Sequence, residues 1–161
     1  MATATPDELK KLDDLLKKFR FAMLTTREPD GTLTAHPLTV QEAEFDGDLW
    51  FIVGTHASAV EHVASDSQVG VSFSSNDAWL SLAGTAEVVH DQGKLKQLWS
   101  SSVEAWFPDG PESSDVTLLK VSALSGEYWD SPGGRIASAV SFVKSKLTGQ
   151  PYEGENEKFD L

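Results

Sequence analysis

The spacing of apolar positions changes period several times along the chain, and each change predicts an element. Leu9, Leu12, Leu15, Leu16 and Phe19 recur at helical spacing behind Thr5-Pro6-Asp7-Glu8, which fits a capping box with proline at the first helical position. From Phe21 the pattern turns to short β-branched and apolar runs. Phe21 to Thr26 reads as a strand and ends in the turn Glu28-Pro29-Asp30-Gly31. Leu33 to Phe45 reads as a long second strand, and Asp46-Gly47 signals a hairpin into a third, Leu49 to Val53. These connections are too short for parallel crossovers, so the strands form an antiparallel meander.

Further along, a short helix is predicted over Ser58 to Ala64, then strands over Gln68 to Ser74 and Trp79 to Val89. Gly84 interrupts the latter strand and points to a bulge or a close backbone approach. Asp91 reads as the cap of a helix carrying Leu95, Leu98 and Trp99, and residues 106–114 form a loop by composition. Two strands follow, Val116 to Val121 and Glu127 to Trp129, the second stopped by Ser131-Pro132-Gly133-Gly134. A helix from Arg135 to Thr148 with Gly149 as its stop, then a polar, acidic tail from Gln150 draped on the surface or mobile, complete the reading. About seven strands with peripheral helices give a mainly β fold, and a closed or half-closed antiparallel barrel hides their edges. Residues 1–149 are read as one domain and 150–161 as its tail.

Composition narrows the functions. Of the 161 residues, 40% are hydrophobic and 24% charged, as in an ordinary globular domain. Thirteen basic against 25 acidic side chains give a net charge of −12, which argues against nucleic acid or an anionic membrane as partner. The absence of cysteine excludes disulfides and thiol chemistry. No apolar run approaches the ~18 residues of a transmembrane helix, and the N-terminus lacks the pattern of a secretory signal, so a cytoplasmic location is expected.

Catalytic signatures are lacking: there is no GxSxG, GxxxxGK[ST], GxGxxG or HExxH. The four histidines are scattered, and His56 and His62 have no chelating spacing, so no metal site is expected. Glu42 and Glu44 read as a solvent-facing pair on one strand face. More suggestive is the hairpin that sets Thr25 and Thr26 beside His36-Pro37-Leu38, because Pro37 removes a backbone donor and interrupts pairing. Thr55 and Ser58 then stand at a helix start, where hydroxyls and amides suit an anion, although locally a plain N-cap role for Ser58 takes precedence. Among the five tryptophans, Trp129 lies where a strand runs into a glycine loop, a place to wall a planar ligand.

These segments, in this order, resemble the general stress protein branch of the pyridoxamine 5'-phosphate oxidase-like family of FMN-binding split barrels. The likeness spans nearly the whole chain. It is carried by MLTTREPDGTLTAHPLTV, DLWFIVGTHAS, LWSSSVEAWFPDGPESSDVTLLKVSALSGEYWDSPGGR and the ending GENEKFDL. The resemblance implies a homodimer with two FMN molecules in clefts between the subunits. His36, Pro37, Leu38 and Thr39 would run along the flavin, and Phe51, Val53, Thr55 and Ser58 would hold its ribityl-phosphate. Thr25 belongs to the same set, and Trp79 and Trp129 would reach in from the partner. Two positions depart from the family pattern: His36 stands where the family often has arginine, and Ala59 and Val60 where a lysine often follows the serine. With few charge-assisted bonds to a phosphate, FAD becomes the alternative flavin. The basic residues that bind substrate phosphate in true pyridoxamine phosphate oxidases are not recognisable either. The expected function is therefore a flavin-binding, oxidoreductase-like stress protein with no assigned catalytic residue. The alternatives are a non-catalytic flavin carrier or sensor and a dimeric interaction module without cofactor; relatives of this fold also bind heme, for which His36 is the one argument here, or deazaflavin.

Overall fold

A computed structural model describes residues 4–130 and 155–161. The helix predicted over Arg135 to Thr148, its glycine stop and the start of the tail lie outside the described residues. Helix α1 (Pro6–Leu16) begins with a complete capping box: the Thr5 side chain accepts from Glu8 N, and the Glu8 carboxylate accepts from Thr5 N at 2.6 Å. Its Leu12, Leu15 and Leu16 are buried, and Asp13 accepts a hydrogen bond from Phe45 N at 3.0 Å. That bond ties the helix to the segment between the second and third strands.

The strands among the described residues are β1 (Phe21–Arg27), β2 (Leu33–Thr39), β3 (Asp48–Gly54), β4 (Gln68–Ser74), β5 (Ala78–Val89), β6 (Val116–Asp130) and β7 (Glu155–Asp160). All seven belong to one antiparallel sheet in the order β2-β1-β4-β5-β6-β3, with β7 added to the far half of β6. Gly31 and Gly47 take φ of +90° and +111° in the two predicted turns, where a side chain would be strained. The sheet curls until its edge strands β2 and β3 approach each other, yet no ladder joins them. The fold is thus a split antiparallel barrel with peripheral helices. Its interior is filled by Leu24, Phe51, Val71, Phe73, Leu80, Leu119 and Val121, all buried. Helix α2 (Ser58–Ser65) follows β3 directly and packs Ala59 and Val63 into this core. Helix α3 (Gln92–Leu98) covers the outer face of β3 and β6, where its Leu95 and Leu98 form a second, smaller core with Val116 and Leu118, and the short helix α4 (Ser101–Glu104) follows it.

Three local expectations are corrected. β2 ends at Thr39, so Glu42 and Glu44 lie exposed in a connection rather than on a strand. The chain leaves the sheet there because Phe45 is needed beneath α1. The two short strands expected after residue 115 are one continuous strand, β6, whose segment Ser122 to Gly126 carries a bulge instead of a break. The acidic ending is not merely draped: Glu155–Asp160 pairs with Ser125–Asp130, Phe159 packs toward the core, and Tyr128 Oη donates to Glu157 at 2.8 Å.

The bulge sets what β6 presents. Ala83 pairs with Ser125 but Gly84 pairs with Ala123, leaving Leu124 extra and exposed. Before the bulge, Val121 and Ala123 face inward. After it the phase is reversed, so Tyr128 is buried and Trp129 faces out.

Candidate functional site

The predicted site residues fall into three groups. The first lies on the inner side of the seam between β2 and β3. Residues 34, 36 and 38 of β2 face inward opposite Thr26, Leu24 and Ala22, so His36 is half-buried at the barrel's open edge and Leu38 packs against the core. Phe51 and Val53 of β3 are core side chains, which leaves only their backbone to meet a ligand. Alternate residues of an edge strand direct N–H and C=O groups away from the ladder, so both margins of the seam carry such groups.

The second group stands where β3 ends and α2 begins. Thr55 bonds by its N–H to Asp115 O at 2.9 Å and by its hydroxyl to Ser114 O at 2.8 Å, so its side chain holds the 106–115 loop. Ser58 is exposed at the first position of α2, not at the cap; the cap residue is Ala57, which makes no side-chain hydrogen bond. This helix start therefore carries no side-chain cap of its own.

The third group is on the opposite, outer face of the sheet. Thr25 and Pro37 face outward, Thr25 beside Ala35 and Gly70, and Pro37 beside Met23. Trp79 and Trp129 are direct cross-strand partners, 42% and 39% exposed. Phe21, Met23 and Leu33 add exposed apolar surface on the same face. Trp79 is three strands from β2, roughly 14 Å at ordinary strand spacing. Both tryptophans thus lie on the sheet face opposite His36 and Leu38.

One constellation escaped the sequence reading. Thr26, 1% exposed, places its Oγ1 2.9 Å from His36 Nε2 and 2.8 Å from His62 Nδ1, and the two imidazole rings are 5.6 Å apart. The cluster joins β1, β2 and α2, and His62 lies one helical turn below Ser58 on the same face. Burial pushes His36 below the ordinary imidazole range and the neighbouring His62 adds to this, while Glu28 acts in the opposite sense. No local spacing signals the pair, since His36 and His62 are brought together only by the packing of α2 against the sheet. No group of three or more metal-ligating side chains occurs among the described residues.

The comparisons with known proteins agree with this architecture. A crystal structure from Jannaschia sp. CCS1, described as general stress protein 26, superposes with a TM-score of 0.83 at 27% identity, over 98% of this chain and 100% of that one. The general stress FMN/FAD binding protein of Xanthomonas citri superposes with a TM-score of 0.68 at 25% identity, over 81% and 94% of the two chains. Protein bli-3 of Neurospora crassa is 26% identical over 156 residues, 89% of this chain and 75% of that protein. Residues 7–153 match the family described as pyridoxamine 5'-phosphate oxidase like, and the chain belongs to that family.

Proposed function

We propose that this protein binds FMN at the β2–β3 seam as a homodimer, each site completed by Trp79 and Trp129 of the second copy, and that it acts as a flavin-dependent oxidoreductase. The observation that carries the reading is the α2 start. It follows the seam-lining strand β3, lacks a side-chain cap, and reaches β2 through the His62–Thr26–His36 contacts. A helix N-terminus with Ser58 and two imidazoles suits a phosphate. The free strand edges suit the polar rim of a flavin ring, so the residues present fit the cofactor. The similarity to the Xanthomonas citri FMN/FAD binding protein supports the same ligand class.

Bound flavin supplies the electron chemistry. The chain's own residues hold and orient it: Ser58 and the α2 amides at the phosphate, β2 and β3 along its length, the partner's tryptophans against the ring. The outer sheet face, with Phe21, Met23, Trp79 and Trp129 exposed around small residues such as Ala35, Gly70 and Ala83, suits a second copy of the chain. The experiment is the visible spectrum of the purified protein, followed by titration of the apoprotein with FMN and with FAD. Flavin bands, or saturable quenching of flavin fluorescence at micromolar FMN, are the expected result. A colourless protein that binds neither flavin refutes the reading. Turnover of NAD(P)H by the holoprotein tests the oxidoreductase role.

A further inference from the structure

We infer that the His36–Thr26–His62 cluster is a one-proton device that couples phosphate binding at the seam to proton uptake, an inference resting on the flavin reading above. Thr26 has a single hydroxyl hydrogen to share between the two rings. With both imidazoles neutral, Thr26 donates to the facing nitrogen of one ring and accepts from the facing N–H of the other. The ring that receives the Thr26 hydrogen carries its own hydrogen on the outward nitrogen. The ring that donates to Thr26 has a bare lone pair outward. The outward atoms, His36 Nδ1 and His62 Nε2, make no hydrogen bond to other described residues, and the neutral cluster offers them as one donor and one acceptor.

One added proton goes to the outward lone pair. Both outward nitrogens are then donors, while the two bonds through Thr26 stay intact. That is the arrangement a phosphate dianion needs. A second proton has only the nitrogen that accepts from Thr26 left to occupy. It would strand the Thr26 hydroxyl hydrogen in a site 1% exposed and set two imidazolium rings 5.6 Å apart. The cluster therefore takes one proton and resists two.

The groups facing His36 are Thr26 of β1, His62 of α2 and Glu28 from the turn after β1. Glu28 is itself engaged by the Thr34 hydroxyl. The adjacent Arg27 is turned to Asp66, with Nη1–Oδ2 at 3.7 Å, so it does not supply the charge at the histidines. Burial and the neighbouring ring hold His36 toward its neutral form in the free protein, and a bound dianion draws the proton in.

The test is calorimetric titration of the full-length apoprotein at pH 7.5 in two buffers of different ionisation enthalpy, with FMN and, as the phosphate-free control, riboflavin. FMN phosphate is essentially dianionic there, its second pKa being about 6. The expected result is net uptake of about half to one proton with FMN and none with riboflavin. FMN affinity then falls toward about tenfold per pH unit as the pH rises further. Replacing both rings together (His36→Gln with His62→Gln) abolishes the uptake; if that variant does not fold, the wild-type uptake decides. FMN binding without proton uptake, uptake above one proton, or equal uptake with riboflavin overturns the inference while the flavin reading stands. If neither flavin binds, the flavin reading falls and takes this inference with it.

Discussion

Replacing Gly84 with alanine tests the link between the bulge and the outward face of β6. An ideal Cβ on Gly84 would lie 2.2 Å from Ser122 O and 3.0 Å from both Ala123 Cα and Ser122 C. Carbon–oxygen contacts across strands normally run about 3.3–3.6 Å, so the main chain of β6 must retreat by roughly 1 Å. These are backbone atoms between ladder hydrogen bonds and cannot rotate away. Overpacking usually costs about 1–3 kcal/mol, and this case belongs at or beyond the upper end, about 3 kcal/mol or more. In a chain of this length each kcal/mol lowers Tm by about 2–4 °C, so a fall of about 6–12 °C is expected. The control is Gly70→Ala on the neighbouring strand, where the Cβ would meet only Leu82 O at 3.9 Å. That change should stay within about 1 kcal/mol of the wild type, because removing glycine also restricts the unfolded chain. Thermal and urea unfolding of both variants, followed by circular dichroism, make the comparison. A Gly84→Ala melt within about 2 °C of the wild type, or equal damage from Gly70→Ala, would show that the close approach at Gly84 does not constrain β6.

The remaining predictions concern the helix tie, the histidines and the ring wall. Asp13→Ala removes the acceptor for Phe45 N and the partner of Lys17 at 2.5 Å; urea unfolding should show a loss of about 1–2 kcal/mol. The folded pKa of His36 lies below its unfolded value, so its neutral form favours folding. That contribution is present above about pH 6.5 and is lost as the pH falls through the lower folded value. Tm measured from pH 8 to pH 5 should therefore decline on the acid side by more in the wild type than in His36→Gln; parallel curves would contradict it. Trp129→Ala should weaken FMN binding by about 1–3 kcal/mol in a fluorescence titration, the range for losing an aromatic platform under a planar heterocycle. Unchanged affinity in the folded variant removes Trp129 from the site.

Much of the fold was legible because its signals are local. The capping box at Thr5, the glycine turns at Gly31 and Gly47 and the cap at Asp91 all depend on neighbouring residues, and each appears as read. Gly84 was legible as an anomaly for a similar reason: a strand interior does not spend a glycine without a close approach. What depends on distant packing was not. The exit of the chain at Thr39 is fixed by Phe45 reaching α1, and nothing local in Val40 to Phe45, such as a proline or glycine, marks the end of the strand. β7 is short and strongly charged, and only its cross-strand partners Tyr128 and Gly126 give Phe159 somewhere to go. For the site, composition and spacing drew attention to the hairpin, the α2 start and Trp129, and the family resemblance joined them. The His36–Thr26–His62 cluster was invisible, because the two imidazoles converge on Thr26 from different elements.

A crystal structure of the protein grown with FMN decides where the flavin sits. Two copies of the chain packed through their outer sheet faces are expected, with the phosphate of each site at Ser58, near His36 and His62, and the ring along β2 against the second copy's Trp129. A flavin enclosed within one chain, or bound on the face covered by α3, would rule out the β2–β3 seam as the site.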